Sequence, residues 1–263
     1  MASFNFTVEE GIATLLLSNP PQNRLNSATS ADFRAAVERI QADDSIRALV
    51  IRAEGDNFSY GGDISTWLDV DPAAIGANIA EGLHGLRAFE ALRVPVISAV
   101  QGICLGGAFE IVLRTDIIVA AENARFGHSE QTLGLITLMG GVQRVAERAG
   151  RARALRWAMT SERVPAREML EAGVITEVVP DDRLVAVAYE WARRLGKGPT
   201  LAHAAHKKML SAWSNGGVAA ADTVIPELAE QLWKTEDARR GIASAQDAIR
   251  RGVERPVLDF DGR

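Results

Sequence analysis

The first 180 residues alternate between short apolar strand patterns and helical apolar spacing, and this alternation restricts the fold more than any other feature. Alternating apolar side chains on both sides of Glu10-Gly11 predict an antiparallel hairpin. The segment that begins at Ser30 has the spacing of a helix, and it leads into the buried-strand pattern of 48–51. Strands that alternate with helices predict an α/β domain with a parallel sheet.

The same alternation returns in the middle of the chain and ends near residue 180. We predict a helix over 103–113 and strands at 94–100, 116–121 and 174–179. Four helical segments follow, at 181–195, 201–213, 218–233 and 238–253. We therefore predict an α/β core over residues 1–195 and an all-helical region over residues 196–263.

Charge and cysteine content exclude several classes of protein. The net charge of −5, without a dense block of Lys or Arg, argues against binding nucleic acid by phosphate neutralisation. Cys104 is the only cysteine, which excludes an intramolecular disulfide and a cysteine-rich zinc site. His203 and His206 can share a helical face but have no third ligand nearby, so we expect no bound metal.

Neither a membrane span nor a targeting segment is expected. The longest uncharged stretch, 94–109, is shorter than the roughly 18 apolar residues that a membrane-spanning helix needs. The first twenty residues carry acidic side chains rather than a basic leader. We therefore expect a cytoplasmic protein that does not bind membranes.

Familiar nucleotide and hydrolase motifs do not fit this chain. The glycines of 102–107 lack the spacing of a dinucleotide-binding loop, and Gly196-Lys197-Gly198 lacks the remaining residues of a phosphate-binding loop. Ser129 lacks the second glycine of a hydrolase nucleophile turn. We expect neither a nucleotide cofactor nor a serine nucleophile.

Two glycine pairs each follow a predicted strand. Gly61-Gly62 precede Asp63, a residue type suited to begin a helix, and Gly106-Gly107 form the second pair. The first turn of a helix has unpaired N–H groups, so the Gly107 amide is suited to bind a developing oxyanion. Taken singly, each pair could equally be an ordinary strand-to-helix turn.

Two carboxylates accompany the second glycine pair. Glu110 follows Gly107 by three residues, which places both on one side of a helix. Glu130 occupies a polar loop twenty residues later. Taken alone, Glu110 could simply compensate the helix dipole, and Glu130 could simply be solvated. Together with both glycine pairs, they favour a site that stabilises an oxyanion and transfers protons.

At this point the sequence resembles the crotonase superfamily, the enoyl-CoA hydratase/isomerase fold. The matching segments are 58–64, 95–110, 116–121, 124–127, 134–135, 140–144, 172–180 and 235–237. The resemblance implies a crotonase-like spiral of ββα units, with C-terminal helices that build a homotrimer or a hexamer. It also implies an acyl-CoA thioester as substrate, and no cofactor other than the coenzyme A that the substrate brings.

The resemblance assigns roles by position. The oxyanion hole for the thioester carbonyl falls on the backbone N–H groups of Gly62 and Gly107. In the hydratases, the residue at Glu110 activates the water that attacks C3, and the residue at Glu130 delivers a proton to C2. Retention of both favours hydration of a trans-2-enoyl-CoA. The coenzyme A and acyl contacts then fall on Arg24, Leu25, Asn26, Tyr60, Asp63, Ile64 and Leu138.

The chain departs from the family pattern after the second glutamate. Thr137 stands where hydratases have proline, and Leu138 stands where they have a glycine against the acyl pocket. These departures leave two alternatives to hydration. One is another reaction of the superfamily, an enoyl-CoA isomerase or a lyase on a specialised acyl-CoA. The other is a non-catalytic acyl-CoA carrier.

Overall fold

Nine strands form two sheets within residues 4–263, the part of the chain that this computed structural model describes. The strands are β1 (Phe4–Glu9), β2 (Ile12–Leu17), β3 (Ala48–Ala53), β4 (Val96–Val100), β5 (Ile103–Leu105), β6 (Ile117–Ala121), β7 (Arg125–Gly127), β8 (Val164–Pro165) and β9 (Glu177–Val179). The helices are α1 (Ser27–Ala42), α2 (Ile75–Glu90), α3 (Gly107–Val112), α4 (Gly141–Ala149), α5 (Arg151–Thr160), α6 (Ala166–Glu171), α7 (Leu184–Gly196), α8 (Thr200–Trp233) and α9 (Glu236–Arg251).

The strand order confirms the predicted α/β fold. The large sheet runs β1-β2-β3-β4-β6-β9, and the small sheet runs β5-β7-β8. In the large sheet, β1 and β2 form the predicted antiparallel hairpin, and every other pair is parallel. Consecutive strands β4 and β5 enter different sheets before α3, and β6 and β7 do the same before α4. These are the ββα units that were predicted.

The large sheet is covered on both faces, which explains its continuous apolar runs. Successive side chains of a strand point to opposite faces. In β3, Val50 packs with α7 in one buried cluster, whereas Leu49 and Ile51 pack with α1 and α2 in the other. All five side chains of β4 are buried for the same reason.

The predicted C-terminal helices are present. The segments 201–213 and 218–233 form one long element, α8, which is interrupted where Gly216 and Gly217 leave helical geometry. Gly217 has a φ of 74°, in the left-handed region that glycine tolerates. The boundary predicted between residues 195 and 196 coincides with the end of α7 at Gly196, and the division into two domains stays a prediction.

The chain after α9 returns to the end of α7. Phe260 N donates to Lys197 O over 2.8 Å, and Arg47 Nη2 donates to Phe260 O over 3.1 Å. The buried Asp237 carboxylate accepts from the N–H groups of Asp261 and Gly262. These contacts tie the C-terminal segment to the α/β core.

Two local predictions are wrong. The helix predicted over 103–113 is the strand β5 followed by α3, because Ile103–Leu105 pairs with β7 and also exchanges backbone hydrogen bonds with Ser59. Asp63 does not begin a helix, since its side chain accepts from Ser65 N and the next α-helix begins at Ile75. Pairing with distant strands overrides the helical apolar spacing in the first case.

No helix within residues 4–263 has the length and apolar character to cross a bilayer.

Candidate active site

The first glycine turn lies beside the second. Ser59 N donates to Ile103 O over 2.8 Å, and Leu105 N donates to Ser59 O over 3.0 Å. Gly61 has a φ of 86°, and a Cβ atom there would lie 2.7 Å from Leu105 O. Both the backbone conformation and the close approach therefore require glycine at this position.

Two backbone amides at these turns are free to bind a ligand. Gly62 and Gly107 both line a cavity of about 690 Å³. Within residues 4–263, neither N–H group donates a hydrogen bond to protein. Gly107 is the first residue of α3, where an N–H group has no acceptor within its own helix. Two free amides in one cavity are what the predicted oxyanion hole needs.

Glu110 is buried in the first turn of α3, and the loop before α4 holds its carboxylate. Its Oε1 accepts from Met139 N over 2.9 Å and from Gly141 N over 2.8 Å. Burial and then the negative charge of Glu130 raise the pKa of Glu110 to about 7, although the two amides and Arg114 oppose the change. This carboxyl can therefore gain or lose a proton near neutral pH.

Glu130 begins a short 3-10 turn and is 7% exposed. Burial raises the pKa of its carboxyl above the ordinary value, and its own N–H group and that of Ser129 partly oppose this. A Cβ atom at Gly106 would lie 2.9 Å from Glu130 Oε1, so the carboxylate is packed against the second glycine turn. The cavity thus brings together Glu110, Glu130, Gly62 and Gly107, the four residues predicted to carry the chemistry.

A buried arginine that sequence reasoning missed supports the loop that binds Glu110. Arg114 Nη2 donates to Met139 O over 2.7 Å, and Nη1 pairs with Glu90 over 2.6 Å. Arg144 also pairs with Glu90 over 2.6 Å. The signal available in the sequence was one charged residue in the otherwise uncharged stretch between Glu110 and Asp116.

His128 is a second buried group beside the carboxylates. It is 1% exposed, and its ring centroid lies 5.2 Å from that of Phe109. A point at the Cβ position of Gly141 would be 2.6 Å from His128 Cε1 and 2.9 Å from Glu110 Cγ. Neither ring nitrogen has a hydrogen-bond partner within the described part of the chain. Burial lowers the pKa of His128 to about 4.

Five of the seven predicted coenzyme A and acyl contacts line the cavity, namely Arg24, Leu25, Tyr60, Ile64 and Leu138. Arg24 Nη1 donates to Gly62 O over 3.1 Å, and its guanidinium lies 5.9 Å from the centre of the Tyr60 ring.

The other two predicted contacts, Asn26 and Asp63, are absent from the cavity lining. Asn26 caps α1, where its side chain accepts from Thr29 N over 3.0 Å. Asp63 N donates to Leu25 O over 2.7 Å and so pairs the first glycine turn with the segment that precedes α1. Both side chains are used in local structure.

His203 and His206 both lie in α8, where a metal ion would need a third protein ligand. Across residues 4–263, His, Cys, Asp and Glu side chains form no group of three or more that could hold a metal ion.

Known proteins resemble this chain over most of its length. Residues 7–248 match the family described as enoyl-CoA hydratase/isomerase. A probable enoyl-CoA hydratase of Rhizobium meliloti (strain 1021) is 31% identical over 237 residues, 89% of this chain and 91% of that protein. The 1,2-epoxyphenylacetyl-CoA isomerase of Escherichia coli (strain K12) is 34% identical over 199 residues, 73% of this chain and 76% of that protein.

A solved structure resembles the whole fold. The crystal structure of an enoyl-CoA hydratase from Geobacillus kaustophilus HTA426 superposes with a TM-score of 0.89 at 27% identity. The match covers 100% of this chain and 99% of that one. The predicted crotonase-like fold with its C-terminal helices is therefore confirmed.

Proposed function

The chain belongs to the enoyl-CoA hydratase/isomerase family, and from that premise we propose that it adds water across the 2,3 double bond of a trans-2-enoyl-CoA thioester. The observation that carries the proposal is the pair of buried carboxyls, Glu110 and Glu130, in one cavity with two free backbone amides. The pKa of each carboxyl is raised. A pair that holds one proton near neutral pH can supply a base and an acid at once.

The proposed reaction uses each group once. The N–H groups of Gly62 and Gly107 accept the thioester carbonyl oxygen and stabilise the enolate that forms there. Glu110 removes a proton from water, whose oxygen bonds to C3. Glu130 gives its proton to C2, so the product has gained one water molecule and the pair has kept one proton.

The thioester would enter past the residues at one side of the cavity. Arg24, Leu25, Tyr60 and Ile64 are the proposed contacts of the coenzyme A portion. Asn26 and Asp63 would contribute through the backbone they stabilise, because their side chains are used in local structure. Coenzyme A would be part of the substrate, with no separate cofactor.

The test is the loss of enoyl-thioester absorbance with trans-2-enoyl-CoA substrates, with a gain of one water in product mass. Glu110→Gln and Glu130→Gln should each lower kcat by about 10²–10⁴. Both should still bind butyryl-CoA, which has no double bond. The exposed Glu171→Gln is the matched control and should retain parental activity. Parental hydration by both site variants would contradict the proposal.

Isomerisation is the second candidate, and Leu138 is the observation that favours it. This leucine lines the cavity with both carboxyls and takes up space there. If it excludes water, a 3-enoyl-CoA would become a 2-enoyl-CoA without change in mass, and Glu130 alone would be essential. Leu138→Gly should then increase hydration. Binding of enoyl-CoA without any turnover would instead support the carrier.

A homotrimer, or a hexamer made of two trimers, is proposed as the assembly. The supporting observation is a set of apolar side chains that α8 leaves exposed, namely Leu210, Trp213, Val218, Ile225 and Trp233. Large exposed apolar patches commonly mark protein interfaces. Light scattering should give three or six times the chain mass of 28.3 kDa, and a monomer would contradict this. The cytoplasmic location stays a prediction.

A further inference from the structure

The cavity continues beyond the two carboxyls into a space between α1 and α2. From α2 it is lined by Asn78, Glu81, Gly82, Gly85 and Leu86, which lie on one helical face. From α1 it is lined by Ser27, Thr29, Ser30, Phe33 and Arg34. Two of the five α2 positions that face this space therefore have no side chain.

Neither glycine is required by backbone geometry. Both lie inside α2, and neither has a positive φ. A Cβ atom at Gly82 would meet only the flexible end of Met139, with Cε at 2.9 Å and Sδ at 3.1 Å. A Cβ atom at Gly85 would make an ordinary contact with Arg34 Cγ at 3.7 Å. No approaching backbone excludes a side chain at either position.

Glycine also weakens a helix interior relative to alanine, so two of them on one face need a reason. At Gly82 the consequence is room for the side chain of Met139, and at Gly85 it is open volume in the cavity. Met139 connects that volume to the reacting groups, because its backbone N–H holds Glu110 and its side chain reaches Gly82. A chain that extends past Glu110 and the side chain of Met139 would therefore enter the space that Gly85 leaves open.

The lining of the cavity is mainly apolar, although Ser27, Thr29, Ser30 and Asn78 add uncharged polar groups. Phe33, Leu86, Ile111, Leu138 and Met139 contribute apolar surface. The two ionic side chains at this part of the cavity, Arg34 and Glu81, pair with each other. The pair has no net charge, so it offers no unbalanced charge to a charged group at the far end of a ligand.

We propose that Gly85 is a specificity-determining residue, which opens the space between α1 and α2 to an unbranched aliphatic acyl chain longer than four carbons. This inference rests on the proposed function only in taking an acyl thioester as the ligand. Burial of each added methylene should strengthen binding about fourfold until the space is filled.

The experiment measures the affinity of the parent for butyryl-, hexanoyl-, octanoyl- and decanoyl-CoA by calorimetry. These saturated thioesters cannot be hydrated, so binding is measured apart from turnover. Gly85→Leu fills the space and Gly85→Ala adds one methyl group at a position with room for it. Gly76→Leu is the matched control, because Gly76 is an exposed residue of the same helix with nothing within 4 Å of its Cβ position.

The parent and Gly76→Leu should both gain affinity with each methylene beyond butyryl-CoA. Gly85→Leu should bind butyryl-CoA like the parent and gain nothing from longer chains, and Gly85→Ala should lose several-fold with the longest chain. The proposal is overturned by a parent without dependence on chain length, or by a Gly85→Ala variant with the parent's dependence at every length. Absence of hydration with intact length-dependent binding would contradict the proposed function alone.

Discussion

The carboxylate of Glu130 lies against the α-carbon of Gly106, so closely that a Cβ atom there would be 2.9 Å from its Oε1. Gly106 also has a φ of 53° and a ψ of −131°, and Gly107, the next residue, contributes a free amide to the cavity. The conformation of one glycine therefore sets both the direction of an N–H group and the position of a carboxylate.

Replacement of this glycine should damage activity and stability together. Gly106→Ala strains the backbone at a positive φ and pushes Glu130 away from the turn. We expect hydration to fall at least tenfold and the free energy of unfolding to fall by about 1–3 kcal/mol. Enzyme kinetics and chemical denaturation are the measurements.

Gly134→Ala is the control that separates backbone strain from displacement of the Glu130 carboxylate. Gly134 has a φ of 70°, but nothing lies within 4 Å of its Cβ position. This variant should lose about 1 kcal/mol of stability and keep most of its activity. If Gly134→Ala and Gly106→Ala lose activity equally, the contact with Glu130 is not what matters.

The rate of hydration should depend on pH near neutrality. Glu110 must be ionised to accept a proton from water, and its pKa is raised to about 7. Because the charge of Glu130 helps to raise this pKa, Glu130 ionises first and the pair loses its last proton as pH rises through about 7. The value of kcat/KM should therefore fall as pH increases through about 7, and it should also fall at acidic pH, where both carboxyls are protonated. A pH profile with crotonyl-CoA tests this, and a kcat/KM that stays constant from about pH 6 to pH 9 would contradict it.

The same carboxyl links stability to pH. The pKa of Glu110 is about 7 in the folded protein, above the ordinary value of 4.5. Between pH 4.5 and pH 7, the carboxyl is therefore protonated in the folded state and ionised in the unfolded state. Its contribution to stability is complete below pH 4.5 and is lost as pH rises through 7, about 3 kcal/mol in all. Glu110→Gln should therefore become more stable relative to the parent as pH increases. Denaturation midpoints from pH 4 to 8 measure this difference, and a constant difference would rule it out.

Sequence patterns predicted the parts of the site that are local along the chain. Gly107 and Glu110 belong to one helical turn, so helix geometry places the amide and the carboxylate on the same side of α3. Glu130 was a candidate only in combination with Glu110 and the glycine pairs, and its role came from family resemblance, because nothing local distinguishes a glutamate buried by a distant turn from one in solvent. Arg114 was missed for a related reason, since its partners Glu90 and Met139 are far away in the chain.

The extension of the cavity between α1 and α2 was also invisible in the sequence. In the sequence, Gly82 and Gly85 are two helix-destabilising residues. Only the position of α1 opposite α2 shows that they border the cavity. The error at Ile103–Leu105 has the same origin, because three apolar residues fit a helix or a strand and only pairing with β7 decides.

Arg114 should be needed for both stability and the pH profile. Arg114→Met removes the donor to Met139 O and one of the two cations at Glu90, at a side chain that is 1% exposed. We expect a loss of about 2–3 kcal/mol in the free energy of unfolding. Loss of the positive charge should also raise the pKa of Glu110 further, which moves the falling limb of kcat/KM to higher pH.

Arg156→Met is the control for that variant. Arg156 pairs with Glu162 and Glu168, but its side chain is 51% exposed, so the change should cost little stability. The pH profile should stay as in the parent. An Arg114→Met enzyme with an unmoved profile would show that its charge does not act on Glu110.

His128 should lower the stability of the protein at acidic pH, whereas Glu110 lowers it at higher pH. Its pKa is lowered from 6.5 to about 4 in the folded state by burial, so its contribution to stability is complete above pH 6.5 and is lost as pH falls through 4. His128→Phe removes a group that must be neutral to stay buried, and it keeps a ring beside Phe109. We expect its stability relative to the parent to improve by about 3 kcal/mol between pH 7 and pH 4. The exposed His206→Phe is the control, and equal acid sensitivity of both variants and the parent would mean that His128 is hydrated or bonded in solution.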